Sequence, residues 1–92
     1  MAEIERVKTI PLTLALDDAA EKTTYTQLEL KAPTLSQAEQ FYEKQAASTS
    51  LAAMRLLIAL VSGTRESVLQ PMDFLDFRKC EEYLLSFLTW KP

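Results

Sequence analysis

The sequence predicts an α+β fold, with an N-terminal antiparallel β-hairpin packed on a bundle of three to four α-helices, in one domain over residues 1–92. Three observations predict it. Residues 7–31 carry two runs of alternating apolar and polar residues, the period of a half-buried strand. From Pro33 onward the apolar residues step by three and four, as in amphipathic helices. Within that helical part, Leu51 to Val61 reads LAAMRLLIALV, a run of helix length whose one polar residue is Arg55. A helix apolar on nearly all sides must be covered on nearly all sides, and a 92-residue chain has few other elements to cover it. Either this helix forms the centre of the fold or part of its surface awaits another chain.

In the first run Ile10, Leu12, Leu14 and Leu16 share one face, against Thr9, Pro11, Thr13 and Ala15. In the second, Thr24, Thr26, Leu28 and Leu30 oppose Tyr25, Gln27, Glu29 and Lys31, and DDAAEK is the loop between the runs. Matching the apolar faces sets Leu12 opposite Leu28 and Ile10 opposite Leu30, since a slip of one residue would turn every leucine outward. Pro11 has no N–H to donate, which suits a non-hydrogen-bonded position or the free edge. A lone hairpin is unstable in water, so its leucine face is expected to pack on the helix Leu51 to Val61.

Ala32-Pro33-Thr34 marks the change of period. Thr34 and Gln37 form a capping-box pattern that opens a helix over about 34–47, with Leu35, Ala38, Phe41 and Tyr42 inward and Glu39, Gln40, Glu43 and Lys44 outward. Ser48, Thr49 and Ser50 offer a cap to the apolar helix, about 50–62. Its core seam is Leu51, Met54, Ile58 and Val61, while Leu56 and Leu60 fall on another side. Gly63 suits the left-handed position that closes it. Thr64 caps a short helix, about 65–70, and Pro71 stands near the first turn of a final helix over 72–89. There Phe74, Phe77, Cys80, Leu84 and Phe87 form the inward stripe, with Asp73, Asp76, Lys79, Glu82 and Ser86 outside.

Composition narrows the function more by exclusion than by indication. Net charge is −3 with the signs interspersed, so no broad field exists to steer nucleic acid or an anionic membrane. The chain has no histidine and a single cysteine, Cys80, which excludes an intramolecular disulfide and leaves no transition-metal ligand set. No metal or cofactor is expected. The start, MAEIERVK, lacks the apolar segment of a secretory signal, and no run reaches the roughly 18 apolar residues of a membrane span. A reducing, cytosolic setting is the simplest expectation.

Catalysis finds no support either. Glu81 and Glu82 are neighbours on a helix and point apart, Glu39 and Glu43 share a solvated face, and Asp17 and Asp18 stand in a loop without further donors. Cys80 belongs to the apolar stripe and reads as a small buried hydrophobe. No catalytic residue is expected, and the protein reads as a binder of protein. The positions expected to face a partner are Leu56, Leu60 and Trp90, the last lying beyond the final periodic position of its helix. A helix-turn-helix DNA-binding module is one rival, with Arg65 to Gln70 as its recognition helix, although Asp73 and Asp76 would repel phosphate. A small adaptor or antitoxin-like domain that pairs with one folded partner is another.

Taken in order, LELKAPTLSQAEQF, then MRLLIALVSGTRESVLQPMDFLDF, then EEYLLSFL resemble the small tail assembly chaperones of Mu-like and related contractile-tailed phages. The likeness covers almost the whole chain. It rests on a strand leading into Pro33-Thr34, an apolar helix closed by Gly63, a short helix, and Asp73-Phe74 opening a last amphipathic helix. The resemblance implies a non-enzymatic protein of the host cytoplasm that binds the aggregation-prone tape measure protein and keeps it soluble while tube subunits assemble around it. It implies absence from the finished virion, and a second, longer form made by a programmed ribosomal frameshift. Ser86-Phe87-Leu88 could be encoded by a slippery heptamer, which would make that longer form a further partner; self-association is also compatible with the exposed apolar surface.

Overall fold

The structure, a computed structural model, describes residues 4–90. It is an α+β fold in which strands β1 (Val7–Asp18) and β2 (Thr23–Lys31) form an antiparallel hairpin. Helices α1 (Leu35–Ala47), α2 (Ser50–Ser62), α3 (Glu66–Leu69) and α4 (Phe74–Leu88) follow. Its extents are 41 × 32 × 21 Å, and the shortest is the depth of two packed layers, hairpin on helices. The core joins Ile10, Leu16, Leu28 and Leu30 of the hairpin to Met54, Leu57, Ile58 and Val61 of α2 and to Cys80 and Leu84 of α4. The leucine face of β2 therefore packs on α2 as expected.

Local signals set the helix ends. Thr34 and Gln37 make the full capping box, with Gln37 N–H donating to Thr34 Oγ1 at 3.2 Å and Thr34 N–H donating to Gln37 Oε1 at 3.0 Å. Thr49 caps α2 by accepting from Ala52 N–H at 3.0 Å. Gly63 ends α2 at φ 71°, in the left-handed region that glycine enters without steric cost. Thr64 does not cap α3. It is buried, and Arg65 occupies the cap position without a side-chain bond. Pro71 lies ahead of α4, whose cap is Asp73, accepting from Leu75 N–H at 3.2 Å.

The register departs from the expected one by two residues: Ile10 faces Leu28 and Lys8 faces Leu30. Pairing is then interrupted, for after Pro11 opposite Gln27 the next partners are Leu16 and Tyr25. Residues 12–15 thus oppose Thr26 alone, a large bulge that breaks the alternation. Leu12 stays partly buried while Leu14 turns out to solvent. The bulge is anchored by Asp76 of α4, a residue expected on the outer face and instead fully buried. Its carboxylate accepts the Thr13 N–H at 2.9 and 3.0 Å and the Leu14 N–H at 3.3 Å. The turn is held by a second buried carboxylate, Asp18, which accepts from Glu21 N–H at 3.1 Å and pairs with the Arg65 guanidinium.

Several apolar residues expected inside lie outside. On α1 only Phe41 is buried, while Leu35 is 79% exposed and Tyr42 51%. Leu51 of α2 and Phe74 of α4 are likewise 53% and 52% exposed. The cause is layout. α1 packs chiefly on α2, so one side of α1 suffices, and the turn through Gln70–Asp73 holds the start of α4 away from α2.

Candidate functional site

The exposed ends of α2 and α4 frame an open groove. Leu51, Ile58, Leu69, Met72, Phe74 and Phe77 line it with apolar surface, Arg55 and Gln70 supply its polar edge, and its volume is about 150 Å³. Leu51, Arg55 and Ile58 project from one side of α2 because they are spaced i, i+4, i+7. Met72 comes from the turn after α3, and Phe74 and Phe77 stack at the start of α4 with ring centroids 5.7 Å apart. The Arg78 guanidinium lies 4.7 Å from the Phe74 ring and fixes the outer wall. Ile58 and Leu69 are buried and form the floor, while Leu51 and Phe74 are the half-exposed rims. A concave apolar surface with one flanking cation suits an apolar side chain that carries an acidic neighbour.

Among the described residues Arg55 is the one ionisable residue lining the groove. Its Nε donates to Glu66 Oε1 at 3.5 Å, and its two Nη groups have no partner among the described residues. Among the described residues no group of three or more His, Cys, Asp or Glu side chains is placed to hold a metal ion. The Cys80 thiol is buried, and its pKa is pushed up to about 12 by burial first and the nearby Asp76 charge second. Among the described residues no helix is long and apolar enough to cross a membrane.

The residues expected to face a partner lie elsewhere. Leu60 stands half a turn round α2 from Leu51, is half-buried, and lines a different cleft with Lys31, Thr34, Gln37 and Gly63. Leu56 is half-buried too, and Trp90, just past α4, is 51% exposed. Helical period alone missed the groove, because Leu51 and Phe74 each continue an apolar stripe and so read as core. The available signal was Pro71, which forces a break that parts the start of α4 from α2. The expected recognition helix of a DNA-binding module is also altered, since α3 is a single turn with Val68 and Leu69 buried and Arg65 held by Asp18.

Compared with known protein families, residues 12–89 match the one described as "Phage tail assembly chaperone proteins, E, or 41 or 14". The chain belongs to this family. No curated protein and no solved structure matches it. The matched span of this tail assembly chaperone family member begins inside β1 and includes the bulge, Asp76 and every lining residue of the groove.

Proposed function

We propose that this protein is a non-enzymatic chaperone of phage tail assembly that binds the tape measure protein and keeps it soluble in the host cytoplasm until the tail tube encloses it, and that it is absent from the finished virion. Family membership supports the assembly role. The observation that carries the binding role is the open groove with its half-exposed Leu51 and Phe74, apolar surface that a small domain has not used for its own core. A long helical protein presents apolar stripes that need such cover before assembly, and a groove of this kind receives them side chain by side chain. Leu56, Leu60 and Trp90 extend the proposed contact beyond the groove.

The test is co-expression of a tape measure protein from the same genome, with and without this chain, and measurement of the soluble fraction. Soluble tape measure protein recovered as a complex only when this chain is present supports the reading. Equal solubility without it, and no complex, would leave the adaptor reading in its place.

A further inference from the structure

Helix α1 carries a largely apolar stripe that the described residues leave exposed. Leu35, Glu39, Tyr42 and Ala46 are spaced i, i+4, i+7, i+11, and all four are exposed. Phe41, on another side of α1, is the residue buried against the core, so the stripe points away and cannot fold back into the groove of its own chain. Glu39 makes no ion pair among the described residues. The groove side of α2 repeats the pattern with the sign reversed, for Leu51, Arg55 and Ile58 have the same i, i+4, i+7 spacing with a cation in the middle.

We propose that the groove of one copy receives α1 of a second copy, with Leu35 and Tyr42 entering the apolar lining and Glu39 meeting Arg55. Laid along α2 in either direction, α1 brings the two central charges together while the apolar residues flank them. A cavity of 150 Å³ is of the size that admits a benzene-sized group, which suits the Tyr42 ring or the Leu35 side chain. The free Nη groups of Arg55 supply donors that a carboxylate accepts in pairs. Each copy has one stripe and one groove, so two copies can exchange helices or further copies can add head to tail. The contact is one helix face wide, which places it among small, concentration-dependent interfaces. This inference goes beyond the tape measure reading and stands without it, because both surfaces belong to this chain.

Sedimentation velocity of the purified protein over a wide concentration range tests it. The expected result is a mass that rises above one chain with concentration. Arg55→Glu and Glu39→Arg should each weaken association by about tenfold or more through like-charge contact, and the double variant should restore it. Leu35→Ser with Tyr42→Ser should abolish it. These α1 changes fall on exposed positions, so they remain informative even if Arg55→Glu, which also loses Glu66, disturbs the fold by circular dichroism. A wild-type protein that stays monomeric up to about 1 mM, near the weak limit of specific association, overturns the proposal. So does association that neither the charge variants nor the α1 variant alters. Tape measure solubility is measured separately, so failure of this proposal and failure of the chaperone reading are distinguished.

Discussion

The Asp76 carboxylate on α4 accepts the main-chain N–H of Thr13, 63 residues earlier, at 2.9 and 3.0 Å. That contact makes the bulge in β1 possible. With residues 12–15 unpaired in the ladder, their N–H groups need other acceptors, and a buried one left unsatisfied costs about 1–3 kcal/mol. Asp76 takes two of them, Thr13 and Leu14, and Lys79 Nζ at 3.5 Å balances its charge. The same contact ties the last helix to the first strand and so sets where the start of α4, and with it the groove wall, stands.

Asp76→Asn is therefore expected to destabilise the domain by about 2–3 kcal/mol, since one of the amide's two polar atoms presents N–H against N–H and charge assistance is lost. Thermal unfolding measured at pH 7 checks this. A variant within about 0.5 kcal/mol of wild type, the range of a neutral surface change, would show that the bulge holds without the anion.

Acid stability should carry the signature of the same residue. Burial alone would raise the Asp76 pKa, but hydrogen bonds from Thr13, Leu14 and Lys79 outweigh it and hold the carboxyl below the ordinary range. With the folded pKa depressed, the unfolded chain binds more protons between the two values, and stability there rises with pH. The contribution is fully present above about pH 4, the ordinary carboxylate value, and is lost as pH falls through the lower folded value. Melting curves from pH 7 to pH 2 should show a steeper acid limb in wild type than in Asp76→Asn. Parallel limbs would assign the acid response to other carboxylates.

What the sequence made legible follows from which signals are local. The hairpin, the capping box at Thr34, the left-handed Gly63 and the Asp73 start of α4 each depend on a few adjacent residues, and all appear where those residues stand. The anchoring of the bulge and the inward turn of Asp76 depend on contacts more than 60 residues apart, which periodicity does not encode. Even so, Asp76, Cys80 and Leu84 step by four along one buried stripe, so the position of Asp76 marks the core face although its charge marks the outside. The groove escaped for the converse reason. Leu51 and Phe74 are apolar by type and periodic by position, and only the placement of α4 leaves them exposed.

Ile58 is buried where α2 meets both the rest of the core and the groove floor. Ile58→Asp should unfold the domain, because burying an unpaired carboxylate takes several kcal/mol from a margin of about 5–10. Loss of the cooperative transition in circular dichroism is the expected result; melting at the wild-type temperature would remove Ile58 from the core.

Cys80 should react with a disulfide reagent only as fast as the domain opens. With its pKa at about 12, the thiolate fraction at pH 8 is about one in ten thousand, and the sulfur is buried as well. Labelling that rises with denaturant in step with unfolding confirms this. Rapid labelling of the native protein would require a local opening at α4.

The proposed contact with the tape measure protein can be divided between the groove and the other apolar positions by two paired variants. Leu51→Ser with Phe74→Ser removes both rims of the groove, and Leu60→Ser with Trp90→Ser removes the positions chosen from the sequence. A rim side chain that passes from half-exposed to covered on binding contributes roughly 1–2 kcal/mol at 25 cal/mol per Å², so the groove pair should weaken the complex by at least about tenfold. Leu51 and Phe74 are exposed, so their loss opens no cavity and the melting temperature should stay near wild type. Leu60 is half-buried, so the second pair is expected to cost some stability as well as binding. Soluble tape measure recovered on co-expression, read beside the melting temperature of each variant, separates the cases. If only the second pair lowers recovery and does so without lowering stability, the partner lies along Leu60 and Trp90, and the groove is left to the second copy.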